Sequence, residues 1–350
     1  MRFIIGSILH GIVRFGIIEL FIVFFALVNV FTFFLFRLDE RNALKDRRRV
    51  NEGVLALFTI SCGGIGALMA MCLSKYRERT WKLKLLVSVG MVIALIPMIH
   101  IAHGLTLGRQ IRYVEVEFHS ENWPAELDGY RIAFMTDKHV IPHTAMREAA
   151  AELNERNIDL LLLGGDFSMF YAHYQGTIRE ISQINAVDGI FGVDGNHDTY
   201  YRLFRAKEQY GIVPLDNSGV RIRERFYLAG VQDKWNRNPN IRQAIEGAYA
   251  DDFVLIVSHN PDVSMTQSTA GVDLILAGHT HNGQIAFFGF PIYLMRDHIT
   301  SYGTRFAHGF AYSADGTPVF VSSGIGIYYV VPRIFSRPEV VIFTMYNERR

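Results

Sequence analysis

Residues 159–166 read DLLLLGGD and residues 273–281 read DLILAGHTH. Each is a run of four apolar residues, too short for a helix, closed by glycine and then by a side chain that can bind a proton or a metal. Runs of this kind are buried strands. Outward from these two, RIAFMTD (131–137), GIFGVDGN (189–196) and DFVLIVSH (252–259) repeat the pattern. Between them, Ala145, Met146, Ala149, Ala150 and Leu153 recur at helical spacing within Thr144–Asn157. Thr177–Asn185 and Ile241–Tyr249 are further helix candidates, and residues 212–231 break into short strands. Alternating strands and helices predict an α/β sandwich rather than an all-β domain.

The polar residues fall where such strands end. Asp137 with His139, Asp166, Asn196, His259, and His279 with His281 each close one apolar run. In open α/β sheets ligands collect outside the carboxyl ends of the strands. Seven nitrogen and oxygen ligands from five strand ends are a metal site, and too many for one ion. The two cysteines, Cys62 and Cys72, lie together in an apolar segment, which excludes a disulfide framework and a CxxC zinc site.

The chain's net charge of +1 hides an asymmetry. Residues 1–112 carry 15 Lys/Arg and 6 Asp/Glu, whereas residues 113–350 carry 20 and 28. The basic half holds three apolar runs, at about 16–36, 54–74 and 85–107. The first alone supplies enough helix to cross a bilayer, and it is too long for a signal peptide. Glu19 lies one turn inside it and is expected to snorkel. The middle run is diluted by Thr59, Ser61, Gly63, Gly64 and Gly66, and its Gly63/Ala67 and Gly66/Ala70 pairs put small residues on one face. His100 and His103 read as a polar helix end. The expected organisation is a membrane domain over 1–112 and an α/β domain over 113–350.

Asp39-Glu40-Arg41, Ala43, Arg49–Glu52, Gly63–Ala67 and Met71 resemble a small bacterial membrane-protein family of unknown function, over roughly residues 20–85. The back half resembles the calcineurin-like metallophosphoesterases. Their motif order stands here as Asp137-Lys138-His139, Gly165-Asp166, Gly195-Asn196-His197-Asp198, His259 and Gly278-His279-Thr280-His281. A subset of that family, often membrane-tethered, is further suggested by Ser258–Asp262, Ala277–Gln284, Gly324, Gly326, Pro332, Arg333, Pro338 and Glu339. Three positions depart from the pattern: Lys138 replaces an apolar residue, Ser168-Met169 stand where an acid is common, and Asn282 replaces glycine. Lys138 is expected to alter charge at the mouth of the site.

The resemblance implies two sheets flanked by helices and two divalent ions, Mn, Fe or Zn. One ion would be held by Asp137, His139, Asp166 and His281. The other would be held by Asp166, Asn196, His259 and His279, with Asp166 as the bridge. It also implies His197 as general acid, with Asp198 orienting it. Asn260, Trp235, Arg237 and Gln284 are candidate substrate contacts, while His143 and His173 fit no ligand position. The expected activity is hydrolysis of a phosphodiester or diphosphate bond, with a lipid-linked or envelope substrate. The competing readings are a catalytically silent metal-binding module, a soluble nucleotide or nucleic-acid phosphodiesterase, and an accessory to a transporter.

The acidic back half argues against nucleic acid as a partner. Arg47-Arg48-Arg49, beside predicted spans, reads as a topology signal. Three full crossings give no charge bias. A middle run that dips in and returns places both basic loops on one face and the catalytic domain outside the cytoplasm.

Overall fold

The computed structural model describes residues 17–74, 81–168, 171–198, 209–235, 237–291, 299–328 and 333–348. Arg2, Arg14, Met169 and Pro332 lie outside these residues, as do the side chains of Glu19, His143 and His173. The chain divides into two units between His103 and Gly104.

The first unit is built from α1 (Ile17–Leu44), α2 (Glu52–Phe58), α3 (Gly64–Cys72) and α4 (Trp81–Leu105). Three stretches, Ile22–Leu44, Glu52–Cys72 and Lys82–Gly104, are long and apolar enough to cross a membrane. The middle one does not run straight. Between α2 and α3 the backbone leaves helical geometry at Ser61 and at Cys62, whose φ is 71°.

Contacts with α1 trace its path. At one end, Val50 N donates to Asp39 Oδ1 (3.0 Å) and Arg49 pairs with Asp39 (2.7 Å). At the other, Ser74 Oγ donates to Glu40 Oε1 (2.7 Å) and Arg37 Nη1 to the Leu73 carbonyl (3.4 Å). At the break, Asn29 Nδ2 donates to the Cys62 carbonyl (2.9 Å) and Gly66 N donates to Asn29 Oδ1 (2.9 Å). Both ends therefore stand at residues 37–40 of α1, and the break stands ten residues, about 15 Å, deeper. A straight helix of that length would hold its ends about 30 Å apart. The segment is a hairpin that returns to the level it left. Asn29 supplies the hydrogen bonds that irregular backbone needs at such depth. The small residues make the close contacts expected of them: a Cβ on Gly66 would lie 2.0 Å from the Asn29 carbonyl oxygen, and Ala67 and Ala70 are buried.

The second unit is a two-sheet sandwich. One sheet orders β1 (Arg112–Ser120), β12 (Glu339–Asn347), β2 (Tyr130–Met135), β3 (Leu160–Leu163), β4 (Ile190–Gly192) and β5 (Ile212–Pro214). The other orders β10 (Gly309–Tyr312), β11 (Pro318–Val321), β9 (Leu274–Ala277), β8 (Phe253–Ser258), β7 (Phe226–Gly230) and β6 (Ser218–Arg223). β2 through β5 are mutually parallel, as are β7, β8, β9 and β11.

Alternation explains the unbroken apolar runs. Phe134, Leu160, Leu162, Phe226, Leu228, Leu255 and Leu276 fill the space between the sheets. Ala133, Met135, Leu161 and Leu163 face α5 (His143–Glu155) and α6 (Tyr171–Ile181). Ala229, Ile256, Ile275 and Ala277 are covered by Ile241, Val263 and Phe306. Strands buried on both faces have no polar face to alternate with. α6 begins earlier than the sequence suggests, because Tyr174 joins Ile178 and Ile181 on the buried stripe. The helix expected over Ile241–Tyr249 stops at Ala244.

Candidate metal centre

β2 runs out into Asp137 and His139, β3 into Asp166, β4 into Asn196, β8 into His259, and β9 into His279 and His281. The loops are held by main-chain bonds between them: Asp137 N donates to the Gly165 carbonyl (2.9 Å) and His139 N to the Asp166 carbonyl (3.0 Å). They pack tightly enough to require glycine. A Cβ on Gly326 would lie 1.6 Å from the Lys138 carbonyl oxygen, and one on Gly195 would lie 2.2 Å from Asp166 Oδ1. Asp137, His139, Asp166, His279 and His281 all sit at positive φ, between 39° and 70°. Non-glycine residues held there cost on the order of 1–3 kcal/mol each, and such strain collects at functional sites.

All seven expected ligands come together. In one group, His281 Nε2 is 2.9 Å from His139 Nε2 and 3.1 Å from Asp137 Oδ1. In the other, His259 Nε2 is 3.0 Å from Asn196 Oδ1 and 3.2 Å from His279 Nδ1. Asp166 Oδ2 lies 3.3 Å from both His139 Nε2 and His259 Nε2, so one oxygen is common to the two groups. Its other oxygen, Oδ1, accepts from His197 N (2.8 Å). Adjacent ligands about 2.1 Å from one ion stand about 3 Å apart, which is the spacing seen.

The residues fit a cation chemically as well. His259 Nδ1 donates to the Gly164 carbonyl (2.7 Å) and His279 Nε2 to the Ile299 carbonyl (3.0 Å). Each bond leaves the other nitrogen's lone pair facing the cluster, as metal-binding histidines are arranged. Asp137 Oδ1 is buried with no hydrogen-bond partner, because Thr136 Oγ1 and His279 N both donate to Oδ2.

The electrostatics agree. Burial opposes charge on His259, yet Asp166 and Asp137 pull its pKa well above the imidazole range. Burial also opposes charge on Asp137, yet the surrounding histidines, led by His281, hold it well below the carboxylate range. Burial pushes His281 down to about 4, leaving its ring neutral and able to donate a lone pair. Two carboxylates buried among these imidazoles give the cluster the negative potential that a cation would answer.

Several expected neighbours have partners of their own. Asp198 does not orient His197. Its oxygens accept from the backbone N–H groups of Asp166 (2.6 Å), Gly195 (2.8 Å) and Phe167 (3.0 Å), bracing the ligand loops. Lys138 is not at the mouth: it is buried and donates to Thr177 Oγ1 on α6, and burial lowers its pKa to about 8. Gln284 spends its amide on the Tyr328 backbone, accepting from N (2.7 Å) and donating to O (3.1 Å). Arg237 is paired with Asp194 (3.1 Å). Asn260 is fully buried, its Oδ1 accepting from Asp262 N (2.9 Å). Trp235 does flank the cluster, its ring 5.2 Å from that of His279.

Two further residues stand at the site: Tyr328, which carried no signal in the sequence, and Arg333, marked there only by the resemblance of the tail. The Tyr328 ring stands 5.3 Å from those of both His139 and His197. Arg333 is fully buried and donates to the Gly326 carbonyl (2.5 Å), with its fork 3.4 Å from the His281 carbonyl. Burial lowers its pKa to about 10, so it stays charged beneath the ligand loop.

A two-sheet α/β sandwich gathers carboxylates, imidazoles and an amide around one carboxylate oxygen, a donor set suited to divalent metal. Residues 130–283 match the family model of the calcineurin-like phosphoesterases, and this domain is a calcineurin-like metallophosphoesterase domain. Residues 29–82 match a protein family of unknown function, DUF1294. The uncharacterized metallophosphoesterase YkuE of Bacillus subtilis is 28% identical over 245 residues, covering 63% of this chain and 81% of that protein. A Danio rerio transmembrane protein with metallophosphoesterase domain is 26% identical over 252 residues, covering 65% of this chain and 56% of that protein. The chain thus spans little more than half the length of the zebrafish relative. Among solved structures, TT1561 of Thermus thermophilus aligns at 12% identity and a TM-score of 0.38, over 56% of this chain and 89% of that one.

Proposed function

We propose that the protein is a membrane-anchored two-metal phosphoesterase that cleaves a phosphodiester or diphosphate bond of an amphiphile from the non-cytoplasmic side. The observation that carries the chemistry is Asp166 Oδ2, equidistant at 3.3 Å from His139 and His259 with a ligand group on either side. Asp137, His139, Asp166 and His281 would hold one ion, and Asp166, Asn196, His259 and His279 the other. A nitrogen and oxygen set without thiolate suits Mn²⁺, Fe or Zn²⁺. Such a pair, when bound, activates water and neutralises charge on the phosphoryl group.

The chain's own groups supply the rest. His197 presents its ring 5.2 Å from that of His139, partly exposed at the edge of the first ligand group. It is the general acid of this reading and protonates the departing oxygen. Its backbone N–H holds Asp166 Oδ1, which keeps Oδ2 turned toward the ligands. Tyr328, clamped by Gln284, and Trp235 flank the ligands and restrict the approach of water and substrate.

The hairpin supports the side assignment. With both ends of that segment at one level of α1, the basic stretches 37–53 and 75–84, eleven Lys/Arg in the sequence, would share one face, against four at Arg2, Arg14, Arg109 and Arg112. Positive charge stays inside, so the carboxy-terminal domain lies outside. An anchored enzyme gains effective concentration only toward molecules in or near its bilayer, which supports an amphiphilic substrate.

The test is hydrolysis by metal-loaded full-length protein across phosphomonoesters, phosphodiesters, nucleotide diphosphate sugars and lipid-linked diphosphates. An amphiphilic diester or diphosphate in mixed micelles is expected to be cleaved fastest. Faster turnover of short soluble dinucleotides would overturn the substrate assignment.

A further inference from the structure

Shortly beyond the ligand His281 the chain turns apolar and faces solvent. Ile285, Phe287, Phe288 and Phe290 are 45%, 48%, 50% and 74% exposed, the densest run of exposed large apolar side chains among the described residues of the second unit. They form a tight hairpin: Phe287 N donates to the Phe290 carbonyl (2.8 Å) and Phe290 N to the Phe287 carbonyl (2.9 Å). The two central residues, Phe288 and Gly289, have φ of 49° and 89°. A turn with both central φ positive calls for Asn-Gly or Asp-Gly. A bulky aromatic at the first of these positions is strained, and folding gains nothing by leaving it in water.

The hairpin is joined to the catalytic apparatus. Ala286 N donates to the Ile334 carbonyl (2.8 Å), Phe288 packs on Phe335 with centroids 5.6 Å apart, and the preceding Gln284 grips Tyr328. A cluster of exposed aromatics held on a braced turn marks an interaction surface.

We infer that the Phe287–Phe290 hairpin is a membrane-docking tip that inserts its aromatic side chains at the headgroup–acyl boundary of the bilayer. The chain itself supplies the reason to choose lipid. Its last apolar stretch ends at Gly104 and β1 starts at Arg112, a connection that reaches at most about 30 Å when fully extended. The bilayer is therefore a permanent partner at high effective concentration, which no freely diffusing protein is. Aromatic side chains suit that boundary, because their rings tolerate its graded polarity. Docking the hairpin brings Tyr328 and His281 to the surface where an amphiphile presents its phosphate, so the tip selects bilayer-borne substrates over soluble ones. The inference rests on membrane attachment and deepens the proposed substrate class.

Full-length Phe290→Trp protein in nanodiscs is compared with the unsubstituted protein, using lipids brominated on the acyl chain. The added indole is expected to emit at shorter wavelength than an indole in water, to be quenched by shallow bromines and to be protected from aqueous acrylamide. Solvent-like emission quenched by acrylamide would overturn the inference. So would a blue shift that grows with protein concentration and ignores the bromines, which would assign the tip to self-association. These readouts need no turnover, so they stand apart from any failure of the proposed reaction. In a second measurement, the Phe287→Ser, Phe288→Ser, Phe290→Ser triple variant is expected to cleave a soluble activated diester at the original rate. Its rate on the same diester carried by a bilayer lipid is expected to fall about tenfold, and equal rates on both would overturn the selection role.

Discussion

Asp166 divides two tasks between its two oxygens. Oδ1 is held by the His197 backbone, and Oδ2 is left to both ligand groups. The sequence places a carboxylate there, but which oxygen is shared depends on the contact with residue 197. Asp198 carries the same lesson in reverse: its position beside His197 suggested a partner for the ring, and its oxygens turn to three backbone N–H groups instead. Two substitutions separate the roles of neighbours. Asn196→Ala removes a proposed ligand, so metal content and hydrolysis are expected to fall together, measured by elemental analysis and initial rates. His197→Ala is expected to keep the metals and lose roughly 10²–10⁴ in rate on substrates with poor leaving groups. On activated esters the loss is expected to be small. Equal losses on both substrate types would remove the proton-donor role.

At the scale of elements, β12 does more than complete a sheet. Its first residue, Glu339, is fully buried between β1 and the β11 exit. Arg112 donates to it (2.7 Å), His308 lies 2.8 Å away, and Ser323 N donates at 2.9 Å. Burial would raise its pKa, but His308 and these donors outweigh burial and hold it at about 2. A carboxyl depressed in the folded state contributes stability above its unfolded pKa of about 4.5, and that contribution is lost as pH falls toward 2. The magnitude at neutral pH is on the order of 3 kcal/mol. Glu339→Gln is therefore expected to unfold several degrees lower than the unsubstituted chain at pH 7. The gap in melting temperature should close between about pH 4.5 and pH 2, followed by thermal denaturation of the full chain in detergent. A gap independent of pH would show that Glu339 acts through packing rather than charge.

For the whole molecule, the middle apolar segment decides topology. Its length and composition match a crossing, yet Asp39 and Glu40, adjacent on α1, hold its two opposite ends. On the proposed topology, the basic stretches 37–53 and 75–84 would share one side and two helices would cross. A periplasmic-type reporter, one active only outside the cytoplasm, is expected to work when fused after Arg112 or after Arg350. Fused after Asp46 it is expected to be silent. Activity after Asp46 together with silence after Arg112 would invert the orientation, and activity after both would restore a third crossing.

The fold class and all seven candidate ligands were legible in the sequence because both depend on local rules. A strand buried on two faces must be apolar throughout, so its last residue before solvent stands out wherever that residue is polar. Glycines at 195 and 326 were visible as letters, but the reason for them, a neighbouring loop within 2.2 Å or less of where a Cβ would sit, is a fact of packing. The partners of Lys138, Gln284 and Arg237 were not legible in the sequence, because a polar side chain's direction depends on residues far along the chain, here Thr177, Tyr328 and Asp194. Tyr328 gave no signal, since it lies at no strand end, and Arg333 stood out only through the resemblance of the tail, with no role attached to it. What the sequence by itself determined is the set of candidate metal-binding side chains and the order in which strands present them. Only the tertiary structure decided which oxygen is shared, which side chains brace the loops instead of meeting substrate, and that the middle apolar segment turns back. Each of those depends on distance through space between residues tens to hundreds of positions apart.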